Sequence, residues 1–140
     1  MRAKRNTPES RMSAKNDVLI QKIACLGWCA ISGYPAEVGH HLIKKSKSKY
    51  FQHDLRNIVP LTNDEHTGDS WSCAELKPEN FEMVFENRFP KQYKWWQENN
   101  HAIHKNPNLD ELTEINRKLQ AFYDLGVPYR WNSENPLDNL

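Results

Sequence analysis

Residues Cys29 to Ser70 read CAISGYPAEVGHHLIKKSKSKYFQHDLRNIVPLTNDEHTGDS. Two segments in it, AEVGHHLI and NIVPL, are short and β-prone, and a lysine-rich run separates them. Their pattern predicts a strand over about 36–43, a basic loop over about 44–54 and a second strand over about 57–61. Pro60 has no amide hydrogen, so the second strand is an edge or ends there. Thr62 and Glu65 stand at the T-x-x-E spacing of a capping box, which opens a helix carrying His66 in its second turn. Gly68 keeps that helix short.

Outward from this stretch the chain reads as helical. Ser13 is a helix cap, and Val18, Leu19, Ile20, Ile23 and Leu26 form an apolar face, predicting a helix over about 14–26 that Gly27 ends. Residues 1–13 are basic and polar and contain Pro8; they read as a flexible arm before a single domain over 14–140. WCAISGYP, punctuated by Gly33 and Pro35, is a turn region. Beyond the stretch, Phe81, Val84, Phe85 and Phe89 share a face, Pro90 separates them from KQYKWWQENNHAI, and a last helix is predicted over about 109–124. Leu109, Leu112, Ile115, Leu119, Phe122 and Tyr123 line its apolar face, and Gly126 and Pro128 stop it. The C-terminal helices thus cover about 79–125 and the tail YRWNSENPLDNL is irregular. The expected fold class is α+β, a short two-stranded ββα core over about 36–70 surrounded by several helices.

Composition narrows the function. The 140 residues suffice for one core, and an aromatic content of 11% argues for real packing. No apolar run approaches the roughly 18 residues of a membrane span, and MRAKRNTPESRMSAKND lacks the apolar core of a signal peptide. The expectation is a cytoplasmic protein with no membrane partner. Three cysteines speak against a disulfide framework. Residues 1–56 hold eleven Lys and Arg against four acids, whereas the remainder holds eight against fourteen. A basic half joined to an acidic half, with the basic residues beside the histidines, suggests one face for a polyanion.

Hydrolysis of a phosphodiester needs a polarised phosphate, a stabilised leaving oxygen and an activated water. One divalent metal ion serves the first two, and a neutral histidine the third. Adjacent residues on a strand point to opposite sides. His40 and His41 can therefore split the roles of ligand and base, and His66 can return to the metal from the helix. Asn57 can hold the loop or fix the base imidazole.

GHHLI, then Asn57 and NIVPLTNDEH, resemble the HNH endonucleases, also called ββα-metal or His-Me finger nucleases, over about residues 25–73. The resemblance implies a metal-dependent nuclease with DNA as partner and one divalent ion (Mg²⁺, Mn²⁺, Ni²⁺ or Zn²⁺) as cofactor. In it His41 is the general base, Asn57 orients that base, and His40 and His66 bind the metal. Lys44, Lys45, Lys47 and Lys49 then contact backbone phosphates rather than bases. A small chain of this kind fits a phage or mobile element acting in the cytoplasm of a bacterial or phage-infected cell. The alternative is an HNH-fold nucleic-acid-binding module without catalysis.

The chain departs from that pattern in two ways. Many HNH proteins brace the motif with two CxxC pairs on a structural zinc; here the matching positions are Cys29 and Ser32, and Thr62 and Glu65, which make no ordinary zinc site. Packing against the aromatic helices is the expected brace, with a gathering of Cys25, Cys29 and Cys73 round a metal as the other reading. The third ligand is open between Asp69, Ser70 and Cys73. Tyr93, Trp95 and Trp96 suit stacking on bases or helix packing, and packing is favoured. His53 beside Asp54 suits an exposed loop pair or a part in substrate binding, the loop pair being favoured, and His101 and His104 are read as incidental.

Overall fold

The computed structural model describes residues 6–128 and 135–140. Among these described residues, five helices and a two-stranded antiparallel sheet make an α+β fold: α1 (Pro8–Ala24), β1 (Val38–His41), β2 (Ile58–Leu61), α2 (Asn63–Thr67), α3 (Pro78–Arg88), α4 (Pro90–Asn99) and α5 (Leu109–Asp124). Helix α1 starts at Pro8, ahead of the expected boundary at about 14, so residues 8–13 are helical rather than part of an arm, and residues 1–5 lie outside the described residues. The reason is local. Thr7 caps the helix, its side chain accepting from the Ser10 amide while Ser10 answers the Thr7 amide. Pro8 occupies the first turn, where the missing N–H costs nothing and the fixed φ favours helix.

One face of α1 buries Leu19, Ile20, Ile23 and Ala24 against Leu119 and Phe122 of α5, with Leu55, Ile58 and Leu137 completing the cluster. Asn16 is fully buried on that face and satisfied: it donates to the Leu112 carbonyl at 3.1 Å and accepts from Asn116 at 3.0 Å. Helix α5 has the expected bounds, a full Asn108–Glu111 capping box, and Gly126 in the left-handed region just beyond its end.

In the sheet Val38 pairs with Leu61, His40 with Val59 and His41 with Ile58. Both strands are shorter than expected, although Glu37 and Leu42 extend the hydrogen bonding by one residue at either end. Pro60 faces Gly39, and its carbonyl accepts from Ala30. Gly39 is required by closeness to α1. A Cβ there would meet Ile58 Cγ2 at 2.9 Å and the Ala24 Cβ at 3.0 Å. The Gln21 side chain of α1 instead holds both main-chain groups of Gly39, accepting from its amide at 2.8 Å and donating to its carbonyl at 3.0 Å.

The other face of the sheet packs on α3 and α4. Leu42, Val59 and Leu61 join Cys29, Ile31, Ala74, Phe81 and Phe85, and Phe89, Tyr93 and Trp96 lie against them. The aromatic helices thus brace the strand–strand–helix unit. Trp95 is buried edge-to-face on Phe51 at 5.4 Å, with the Arg56 guanidinium 5.1 Å from its ring, so the paired tryptophans serve packing. Among the described residues no helix is long and apolar enough to cross a membrane. Of the tail, residues 129–134 lie outside the described residues, and Pro136–Asn139 form a 3₁₀ turn.

Candidate metal centre

Helix α2 makes a little over one turn. Thr62 caps it as expected, its hydroxyl accepting from the Glu65 amide at 3.3 Å. The reciprocal half of the capping box is absent. Glu65 is buried, and its carboxylate accepts at 2.7 Å from each of the Ser70 and Ser72 hydroxyls of the loop that folds back beneath it. Two charge-assisted bonds inside the protein outcompete one to the helix terminus. The four positions matched to a zinc brace are linked by hydrogen bonds. The Ser32 amide donates to Cys29 Sγ at 3.3 Å, Cys29 Sγ lies 3.9 Å from Thr62 Oγ1, and Thr62 holds Glu65. The thiols of Cys25, Cys29 and Cys73 are free and, among the described residues, form no metal-binding group.

His40 enters the site from β1 and His66 from α2, their ring centroids 5.2 Å apart, with Phe81 edge-on to His40 at 5.6 Å. The third group is Glu75. One of its carboxylate oxygens lies 3.5 Å from His40 Nδ1 and 3.7 Å from His66 Nε2. One donor atom from each residue falls within 4.8 Å of the other two. None of the expected third ligands is there: Ser70 is bound to Glu65, Cys73 Sγ donates to the His66 carbonyl at 3.1 Å, and Asp69 is exposed outside the cluster. Glu75 reaches the site because the chain after α2 runs back along it. The Ala74 amide donates to the Glu65 carbonyl at 2.7 Å and the Glu75 amide to that of His66 at 3.0 Å.

The donor set fits a borderline divalent ion. Two imidazoles and a carboxylate are ordinary ligands, and metal–ligand bonds of about 2.0–2.2 Å set tetrahedral donors roughly 3.3–3.6 Å apart. The two measured edges are close to that and longer than a good hydrogen bond. Burial pushes the His40 imidazole down to about 3, and its neighbours His66, His41 and Lys44 act in the same direction. His40 is therefore neutral with a free lone pair, as a ligand must be.

His41 lies outside the cluster. Its Nε2 is 2.9 Å from the Gln52 carbonyl. A carbonyl oxygen only accepts, so Nε2 carries the proton and Nδ1 keeps its lone pair. Burial lowers the His41 pKa, and the Gln52 bond opposes that shift. Among the described residues Asn57 makes no hydrogen bond to His41. Fully buried, it closes the loop between the strands: its Oδ1 accepts from the Ile43 amide at 2.6 Å, and its Nδ2 donates to the carbonyls of Ile43 at 3.0 Å and Phe51 at 3.1 Å. It thus fixes the residue before the carbonyl that holds His41.

The four lysines line the exposed side of this loop. Lys45 pairs with Asp17 at 3.4 Å and Lys47 donates to Asn100 at 3.0 Å, while Lys44 and Lys49 are exposed. Two contributors carried no sequence signal. Glu75 belongs to no spaced motif, and Asp17 of α1, which receives Gln52 and His53 of the loop, is far away in the chain. Comparison with protein-family models, with curated proteins and with solved structures finds no match.

Proposed function

We propose that the protein is a metal-dependent endonuclease hydrolysing DNA phosphodiester bonds, with His41 as general base. The observation that carries this reading is the division of two adjacent histidines. His40 joins His66 and Glu75 in a three-donor cluster, and His41 turns away to a main-chain carbonyl that leaves Nδ1 able to accept a proton. A purely structural pair of histidines needs neither arrangement.

His40, His66 and Glu75 would hold the ion. When bound, a divalent cation supplies Lewis-acid stabilisation for charge developing on the leaving oxygen. His41 Nδ1 takes the proton of the attacking water, and the Gln52 carbonyl steadies the imidazolium through Nε2–H. Asn57 keeps the loop closed, so the ring cannot turn away with Gln52. Lys44 and Lys49 are available to backbone phosphates; Lys45 and Lys47 would first release Asp17 and Asn100.

The test is cleavage of duplex, single-stranded and branched DNA with Mg²⁺, Mn²⁺, Ni²⁺ or Zn²⁺, wild type beside His41→Ala. Metal-dependent cutting that His41→Ala abolishes supports the reading. Absence of cutting on every substrate, or undiminished cutting by His41→Ala, overturns it. Tight, salt-sensitive DNA binding without cleavage would assign the chain to the non-catalytic module instead.

A further inference from the structure

We infer that Asp17, on α1, is a positioning residue for His41, acting through Gln52 and His53. The inference rests on the reading of His41 as the base. The Gln52 carbonyl opposite Nε2, 2.9 Å away, selects the His41 tautomer whose Nδ1 accepts a proton and fixes the ring in that orientation. Asn57 secures one side of that carbonyl, at Phe51. The other side is secured from α1.

Two consecutive side chains of the loop converge on the Asp17 carboxylate. Gln52 Nε2 donates to its two oxygens at 2.9 and 3.2 Å, and His53 Nε2 donates to Oδ1 at 3.0 Å. Gln52 reaches Ser13 of the same helix at 3.3 Å. Gln52 and His53 are both buried, so alternative partners from water are scarce. A carboxylate has about four acceptor sites and can receive both donors and the nearby Lys45 ammonium together; an amide has one acceptor oxygen, and alanine has none. Helix α1 cannot drift, because Leu19, Ile20 and Ile23 of the following turns are in the core. Asp17 is not among the donors of the metal cluster, so its effect separates from metal binding. An aspartate on a remote helix thereby acts on the orientation and tautomer of the base.

The experiment uses the full-length chain, as wild type, Asp17→Asn, Asp17→Ala and Gln52→Ala. Long-range ¹H–¹⁵N correlation spectra of the metal-free proteins read the His41 tautomer, and initial rates on plasmid DNA with Mn²⁺ read kcat and KM. Wild type is expected as the Nε2–H form. Asp17→Ala is expected to give a mixture of tautomers and a kcat about 10–100-fold lower, with KM and Mn²⁺ affinity within about twofold, and Asp17→Asn an intermediate loss. An unchanged tautomer with kcat within about twofold of wild type overturns the inference. Should circular dichroism find Asp17→Ala unfolded, Asp17→Asn and Gln52→Ala decide by the same two readouts. Failure of the wild type to cut any DNA removes the nuclease reading separately, and the tautomer spectra then decide alone whether Asp17 sets the His41 ring.

Discussion

Glu75 is joined to His66 twice: its amide donates to the His66 carbonyl at 3.0 Å, and its carboxylate lies 3.7 Å from His66 Nε2. The main-chain bond delivers the side chain to the site. Since the same oxygen is 3.5 Å from His40 Nδ1, the cluster draws on β1, α2 and the returning loop. Such a site forms only when the tertiary structure does.

Removing a donor should weaken metal binding without unfolding the chain. By titration calorimetry with Zn²⁺ or Ni²⁺, His40→Ala, His66→Ala and Glu75→Gln should each lose affinity by about tenfold or more, since each takes one of three ligands. Asp69→Asn, outside the cluster, should bind as wild type. Equal affinity of Glu75→Gln and wild type would remove Glu75 from the ligand set.

His41→Ala should separate base from ligand. Its metal affinity should stay within about twofold of wild type, while the cleavage rate falls by about 10²–10⁴, the usual worth of a positioned general base. A parallel loss of metal binding would mean that the two histidines do not divide their roles.

Asn57→Ala should destabilise the whole unit. Three hydrogen bonds to main-chain groups are lost inside a fully buried site, and the groups left behind find no water. The expected cost is about 2–4 kcal/mol in urea denaturation. A cost below about 0.5 kcal/mol would show that the loop closes without it.

Gly39→Ala should cost about 1–3 kcal/mol by overpacking, because the new methyl group meets Ile58 at 2.9 Å and Ala24 at 3.0 Å. Both contacts are with the core, so β1 must move away from α1 and take His40 with it. Reduced metal affinity alongside reduced stability is the expected signature.

Acid should release the loop from α1. Burial disfavours the charged form of Asp17, yet hydrogen bonds from His53 and Gln52, aided by the charges of His53 and Lys45, hold its pKa lower, at about 2. A carboxyl depressed on folding stabilises the fold fully above its unfolded value, near 4, and that contribution is lost as pH falls from about 4 to about 2. Asp17→Asn should therefore flatten the stability curve in that window by roughly 1 kcal/mol, a figure reduced for the partial solvent exposure of the pair. Identical slopes for the two proteins between pH 4 and pH 2 would show that the bonds to Asp17 contribute nothing there.

Local rules account for much of the architecture. β-propensity locates two short strands without fixing their ends, Thr62 caps α2, and apolar periodicity with Gly126 bounds α5 to the residue. The order and spacing of His40, His41, Asn57 and His66 were legible for the same reason, since each sits at a defined point of a strand, strand end or helical turn. Where two local rules compete, a composition reading fails. Pro8 can break a helix or begin one, and the Thr7–Ser10 cap decides for beginning. Glu65 can answer its own cap or a serine pair, and the fold-back of the loop supplies Ser70 and Ser72. The arrival of Glu75 beside His40, the grip of Asp17 on Gln52 and His53, and the closure of the loop by Asn57 join residues far apart in the chain or bonds whose partners only packing selects. Such contacts depend on the approach of whole elements, which no spacing within one element encodes.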